Sequence, residues 1–182
     1  MEVLTITGSS NQESVYVDDY SLRTRPYSEF DAAIEAGNAY SWSNLTYDPD
    51  AHDTILGVEN NSSTQDLVIQ EIRVSGDTAT QFVVHTSSGV TMAGTAVTGV
   101  NLNRNSNNTA SATAKADETG NGQQAASYTG RLFAGLIAAD GTATIDVDGA
   151  IVLPNDHNIG VDFTTAATAG NITIIGYFRD RD

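Results

Sequence analysis

From residue 142 onward the chain alternates short apolar runs with Gly, Pro, Asn and Asp. The runs read Thr-Ala-Thr-Ile-Asp-Val-Asp-Gly at 142–149, Ile-Val-Leu-Pro-Asn-Asp at 151–156, Asn-Ile-Gly-Val-Asp-Phe at 158–163 and Asn-Ile-Thr-Ile-Ile-Gly-Tyr-Phe at 171–178. This is the rhythm of closing strands in an antiparallel β-sandwich. The last strand, 172–179, is unusual. Side chains alternate across a strand, so Ile172, Ile174, Gly176 and Phe178 form one face and Thr173, Ile175, Tyr177 and Arg179 the other. Both faces carry large apolar groups, whereas a two-layer sandwich leaves one face of each sheet to water. A second burial partner is therefore expected, most simply another subunit, with Ile172, Ile174, Ile175, Tyr177 and Phe178 as subunit-interface candidates.

The same rhythm extends back to residue 39. Strands are expected near 40–45, 54–58, 67–74, 81–86, 97–102, 111–116, 131–138, 142–147, 151–153, 158–164 and 171–179, with Gly, Asn, Asp and Ser between them. In 67–74, Val68, Ile72 and Val74 are read onto one face, with Glu71 and Arg73 on the other. Eight to ten strands without intervening helices mean an all-β sandwich or barrel, and the count favours a jelly roll. The longest irregular stretch, 117–127, reads as one mobile loop.

Residues 1–38 differ. Short extended pieces are expected at 3–6 and 14–17, followed by one helix at 28–37. Ser28 caps that helix, Phe30, Ala33 and Ile34 share a face, and Gly37 ends it. Two turns do not stand alone in water, so the helix must pack on something. The chain is thus expected to divide into an N-terminal arm, 1–38, and a sandwich domain, 39–182, the alternative being that 1–38 form an N-terminal strand pair of the same domain. Tyr16, Tyr20, Arg23, Arg25 and Tyr27 make the arm a contact segment, because Tyr and Arg are favoured at interfaces.

Charge limits the partners. There are 23 acidic residues against 8 basic ones, for a net charge of -15, and Lys115 is the only lysine. Such a chain repels nucleic acid and anionic membranes, so neither is expected as a direct partner. The absence of cysteine removes disulfides, thiolate metal sites and Cys nucleophiles. Residues 1–7 lack a basic stretch and an apolar core, so no signal peptide is expected, and synthesis in a cytoplasm is. His52, His85 and His157 have no zinc-site spacing. Asp146 with Asp148, or Asp48 with Asp50 and Asp53, could hold calcium, but turn-forming Asp on an acidic surface explains them as well. No nucleophile elbow, phosphate loop or dinucleotide fingerprint occurs, and no enzymatic activity or cofactor is expected. The terminal Phe-Arg-Asp-Arg-Asp reads as a solvated tail, with Arg179 or Arg181 available to bridge to a neighbouring acidic chain.

Two stretches carry a resemblance. One is Ala-Tyr-Ser-Trp at 39–42 with Asp-Thr-Ile-Leu at 53–56, Glu-Asn-Asn-Ser at 59–62 and Leu-Val-Ile-Gln-Glu-Ile at 67–72. The other is Asp-Gly-Ala-Ile-Val-Leu-Pro at 148–154 with Ile-Gly-Val-Asp-Phe at 159–163 and the run 170–178. Together they resemble tailed-phage virion structural proteins, including small β-sandwich capsid decoration (cement) proteins and head or tail fibre modules. The resemblance covers 39–182 and rests on strand pattern. It implies a non-enzymatic structural role on a virus particle and does not cover the arm. The expectation that follows is a homotrimer on the capsid exterior, made in the host cytoplasm, that binds and stabilises the major capsid protein shell, with the arm reaching across neighbouring shell subunits. The alternative it leaves open is a receptor- or glycan-binding knob, for which Trp42, Tyr47 and Tyr128 are contact candidates. Trp42, alternating with Tyr40 on a strand, fits a core position better.

Overall fold

The computed structural model describes residues 27–45, 47–117 and 130–181, together with the backbone of 3–7, 12–18 and 21–25. Two antiparallel sheets pack as a sandwich, and eight strands define it: β4 (Ala39–Ser43), β5 (Thr54–Asn60), β6 (Gln65–Gly76), β7 (Thr80–Ser88), β11 (Arg131–Ile137), β12 (Gly141–Leu153), β13 (His157–Phe163) and β14 (Gly170–Asp180). Strand β4 pairs with β14, β5 with β13, β6 with β12 and β7 with β11. The chain thus folds back on itself like one long hairpin whose tip is β7/β11. Rolling that hairpin gives the orders β4-β14-β6-β12 and β5-β13-β7-β11, which is the jelly-roll topology.

The stretch between β7 and β11 widens both sheets. Strands β8 (Thr95–Ala96) and β10 (Ala112–Ala116) extend the sheet of β5, and β9 (Val100–Asn101) extends the sheet of β4. The sheets therefore have six strands, β11-β7-β13-β5-β10-β8, and five, β12-β6-β14-β4-β9. Between them lies a core that includes Trp42, Leu56, Ile72, Val84, Ile159, Phe163, Ile172 and Ile174.

Two strands depart from simple alternation. Leu67 and Ile69 face the core, and so do Ile72 and Val74, which is possible only if the strand changes phase between them. The register skips Gln70 against both neighbours, with Glu71 opposite Asp146 and Ile175, and Ile69 opposite Ile151 and Gly176. This bulge at Gln70 turns Val68 outward, away from the face on which the sequence pattern put it with Ile72 and Val74. In β12 the pieces expected at 142–147 and 151–153 form one strand. Asp148 and Gly149 take φ values of 48° and 76° there, so the excess residues loop out without breaking the ladder. Of the strand expected at 97–102 only the two-residue β9 forms, and β8 lies just before it.

Ahead of the sandwich, β1 (Val3–Thr7), β2 (Gln12–Asp18) and β3 (Ser21–Arg25) form their own antiparallel sheet, one strand more than the sequence pattern gives. Helix α1 (Glu29–Ala36) follows. Ser28 and Asp31 form a reciprocal capping box, and Gly37 closes the helix at φ 73°.

Candidate contact surfaces

The second burial partner of β14 is α1 of the same chain, where the sequence pointed to another subunit. Phe30, Ala33 and Ile34 pack on Tyr177, Val68 and Ala39, and the Phe30 and Tyr177 ring centroids are 5.8 Å apart. The Tyr177 hydroxyl donates to Glu29 Oε2 at 3.2 Å, and Arg179 reaches the same oxygen at 3.3 Å. Burial, reinforced by the Glu29 charge, raises the Tyr177 pKa. Ile172, Ile174 and Phe178 point into the sandwich core. Of the five interface candidates only Ile175 stays half-buried, and the other four have no surface left to offer a neighbour.

The asparagine-rich segment after β9 closes the other end of the helix. Asn101, Asn103 and Asn108 donate side-chain amide hydrogens to the carbonyls of Gly37, Glu35 and Ala36, and the Tyr40 hydroxyl also donates to Gly37. Helix C-termini leave carbonyls without intrahelical partners. Here four side chains supply the missing donors, a role the sequence did not show for Tyr40 and Asn101, expected on strands, or for Asn103 and Asn108 beyond them.

The C-terminal tail is likewise held within the chain. Arg181 Nε donates to Asp66 Oδ1 at 2.6 Å, and its two terminal nitrogens donate to the carbonyls of Ser62, Ser63 and Gln65. This clasps the tail to the β5–β6 turn, in place of the solvated or bridging tail that the sequence suggested. Arg181→Ala is expected to remove roughly 1–3 kcal/mol, because charge-assisted bonds are lost together. A lower urea midpoint at unchanged slope would show it.

Of the arm candidates, Tyr16 and Arg23 stand opposite each other in the β2–β3 register, and Arg25 stands opposite Ser14. Tyr27 is half-buried. Tyr20 lies outside the described residues. Among the glycan candidates, Trp42 is 1% exposed in the core, so it presents no stacking platform. Tyr47 is half-buried against the core, and Tyr128 lies outside the described residues, as does most of the loop expected at 117–127. Asp146 and Asp148 are exposed, and Asp148 accepts from Gln70. Among the described residues no three His, Cys, Asp or Glu side chains gather as a metal site.

The two sheets differ in charge. Residues 78–139 contain only two of the 23 acids, Asp117 and Glu118, and three of the eight basic residues. This stretch supplies β7, β8, β10 and β11, four of the six strands in the larger sheet. The smaller sheet with α1 carries Glu29, Asp31, Glu35, Asp66, Glu71, Asp146 and Asp148. On the outer side of the larger sheet, His85, Asn158 and Asp162 face away from the core yet are at most 3% exposed. The His85 ring lies over Gly160, where a Cβ would sit 2.6 Å from Cε1. Burial lowers the His85 pKa to about 4. Farther along this side, Glu59, Thr91, Met92, Thr113, Lys115 and Asp156 line a cleft of about 560 Å3. Burial and the neighbouring Asp156 raise the Glu59 pKa.

No known family model matches the chain, and no curated protein or solved structure is significantly similar to it.

Proposed function

We propose that this chain is a non-enzymatic virion structural protein of a tailed phage. In this reading it is a capsid decoration (cement) protein that binds the outside of the major capsid protein shell as a homotrimer. The observation that carries the reading is the division of the chain. A jelly-roll sandwich is preceded by a three-stranded sheet whose strands join neither of its layers. A sheet of its own ahead of the sandwich suits the bridging of a neighbouring protein. Its register sets Tyr16 against Arg23 and brings Arg25 alongside, the residue types that anchor interfaces. The net charge of -15 suits an exterior position, away from packaged nucleic acid.

The physical role follows from pressure. Packaged DNA pushes capsid subunits apart, and a protein spanning several of them adds buried area at the joints. At ~25 cal/mol per Å2 of apolar surface, a standard interface contributes substantially, and three linked copies multiply weak contacts. Mixing the protein with undecorated shells tests the reading. Co-sedimentation and a higher shell melting temperature are expected, and Arg23→Glu with Arg25→Glu should weaken binding roughly tenfold or more. Failure to co-sediment would sink it.

A glycan-binding knob is the second reading. The cleft around Glu59 and Asp156 favours it, since it offers carboxylates, hydroxyls and an ammonium to a polyhydroxylated ligand. Silence on a glycan array together with no binding to host cells would remove it.

A further inference from the structure

We infer that the outer face of β11, with the half-open flank beside it, is where copies of this chain meet. Leu132 and Leu136 are 44% and 79% exposed, and Ala134 between them is exposed as well. They form an apolar stripe on the outer side of an edge strand, because alternate residues share a face. Around the corner runs β12, the edge strand of the other sheet. Its inward residues Ile145, Val147 and Ile151 alternate as core residues should, yet they are only half-buried, since the sheet has no further strand to cover them. Leu45 and Val100, the other exposed aliphatics away from this flank, follow β4 and lie on β9, on the opposite flank.

Charge selects the occupant. Each copy carries -15, so two copies repel across most of their surfaces and can approach only where acids are missing. The sheet that ends in β11 is poor in acids, with two in 78–139, and on β12 Asp146 and Asp148 alternate with the inward Ile145 and Val147, so they stand on the strand's outer side and not on its open flank. A basic foreign partner would be drawn to the other face, with Glu71, Asp146 and Asp148. The neutral stripe therefore suits a partner bearing the same charge, a second copy of this chain. Backbone pairing is not the mode of contact. Both edges are irregular, β11 between Arg131 and Phe133 and β12 at 147–150, and such bulges blunt strand addition. Side chains make the contact instead, the β11 stripe of one copy against the open flank of the next. Repeated around a three-fold axis, this heterologous contact closes into a ring. It takes the place of the contact that the sequence assigned to β14.

The inference rests on the homotrimer part of the proposed function but not on shell binding. Molar mass by light scattering, across a range of protein concentrations at physiological salt, tests it. The wild-type chain should have the mass of a trimer. Leu132→Asp with Leu136→Asp should give a monomer whose melting temperature, by circular dichroism, matches that of diluted wild type. If that double variant fails to fold, Leu136→Lys alone, at the more exposed position, should still weaken association by tenfold or more. Leu45→Asp, on the opposite flank, should leave the mass unchanged. A wild-type monomer at every concentration overturns the inference, as do a folded β11 variant that keeps the trimer mass and dissociation by Leu45→Asp. A trimer that the β11 changes dissociate but that ignores capsid shells supports this contact while sinking the decoration reading.

Discussion

Trp42→Ala should lower the unfolding free energy by roughly 3–5 kcal/mol, a large share of a domain's total stability. The indole is 1% exposed, and its residue pairs with Ile174 of β14, the central strand of the sheet. It also belongs to an aromatic group. Its ring centroid is 6.0 Å from that of Tyr40, which meets Phe178 edge-on at 5.8 Å. Gly99 lies so close that a Cβ there would come within 2.5 Å of Trp42 Nε1. Truncation therefore leaves a cavity between the sheets that no neighbour can fill without moving backbone. Urea unfolding would show the loss as a lower midpoint at unchanged slope. A change below about 0.5 kcal/mol, as for a surface residue, would contradict the placement and restore Trp42 as a ligand platform.

The second large effect is a loss of stability in mild acid that depends on His85. The ring is sealed on the outer side of the six-stranded sheet, and among the described residues Nε2 has no hydrogen-bond partner. Desolvation lowers its pKa to about 4, against 6.5 in an unfolded chain. The folded state therefore favours neutral imidazole. This contribution is complete above pH 6.5 and is lost as pH falls from 6.5 to about 4, because the unfolded chain takes up the proton first. The full difference corresponds to about 3 kcal/mol. Glu59 acts with the opposite sign, since its raised pKa means that protonation relieves a cost. Asp77, held below its ordinary value chiefly by the Thr168 hydroxyl, contributes only at lower pH still. His85→Phe keeps a ring over Gly160 and removes the titration. Its unfolding free energy should be flatter than wild type between pH 6.5 and 4, and an unchanged slope would count against a neutral, buried His85.

The strand rhythm and the helix were legible in the sequence because each has a local cause. Gly, Asn and Asp punctuate the strands, and Ser28, Asp31 and Gly37 supply the capping geometry of α1. The phase change at Gln70 was not. Val68 and Ile69 are both apolar, so either phase of the strand fits the pattern, and only pairing with β12 and β14 fixes which side chain turns inward. The two apolar faces of β14 announced a second partner. Whether that partner was the chain itself depended on Tyr177 meeting Glu29 and Phe30 across nearly the whole sequence. The long-range role of Asn101, Asn103 and Asn108, donating to helix carbonyls, leaves no local trace in the sequence. The scarcity of acids in 78–139 was present in the sequence all along. It becomes a surface property only when the topology places β7, β8, β10 and β11 in one sheet.

The central structural claim is that the second apolar face of β14 meets helix α1 of its own chain at Tyr177, while Ile172, Ile174 and Phe178 point into the sandwich core. Amide hydrogen exchange along β14, followed over a wide range of protein concentrations, tests it most directly. Amides 172–178 should exchange only by global unfolding, with the same protection at every concentration. Protection that collapses along this strand when copies separate, while the rest of the sandwich stays folded, would contradict the claim and return β14 to the subunit interface.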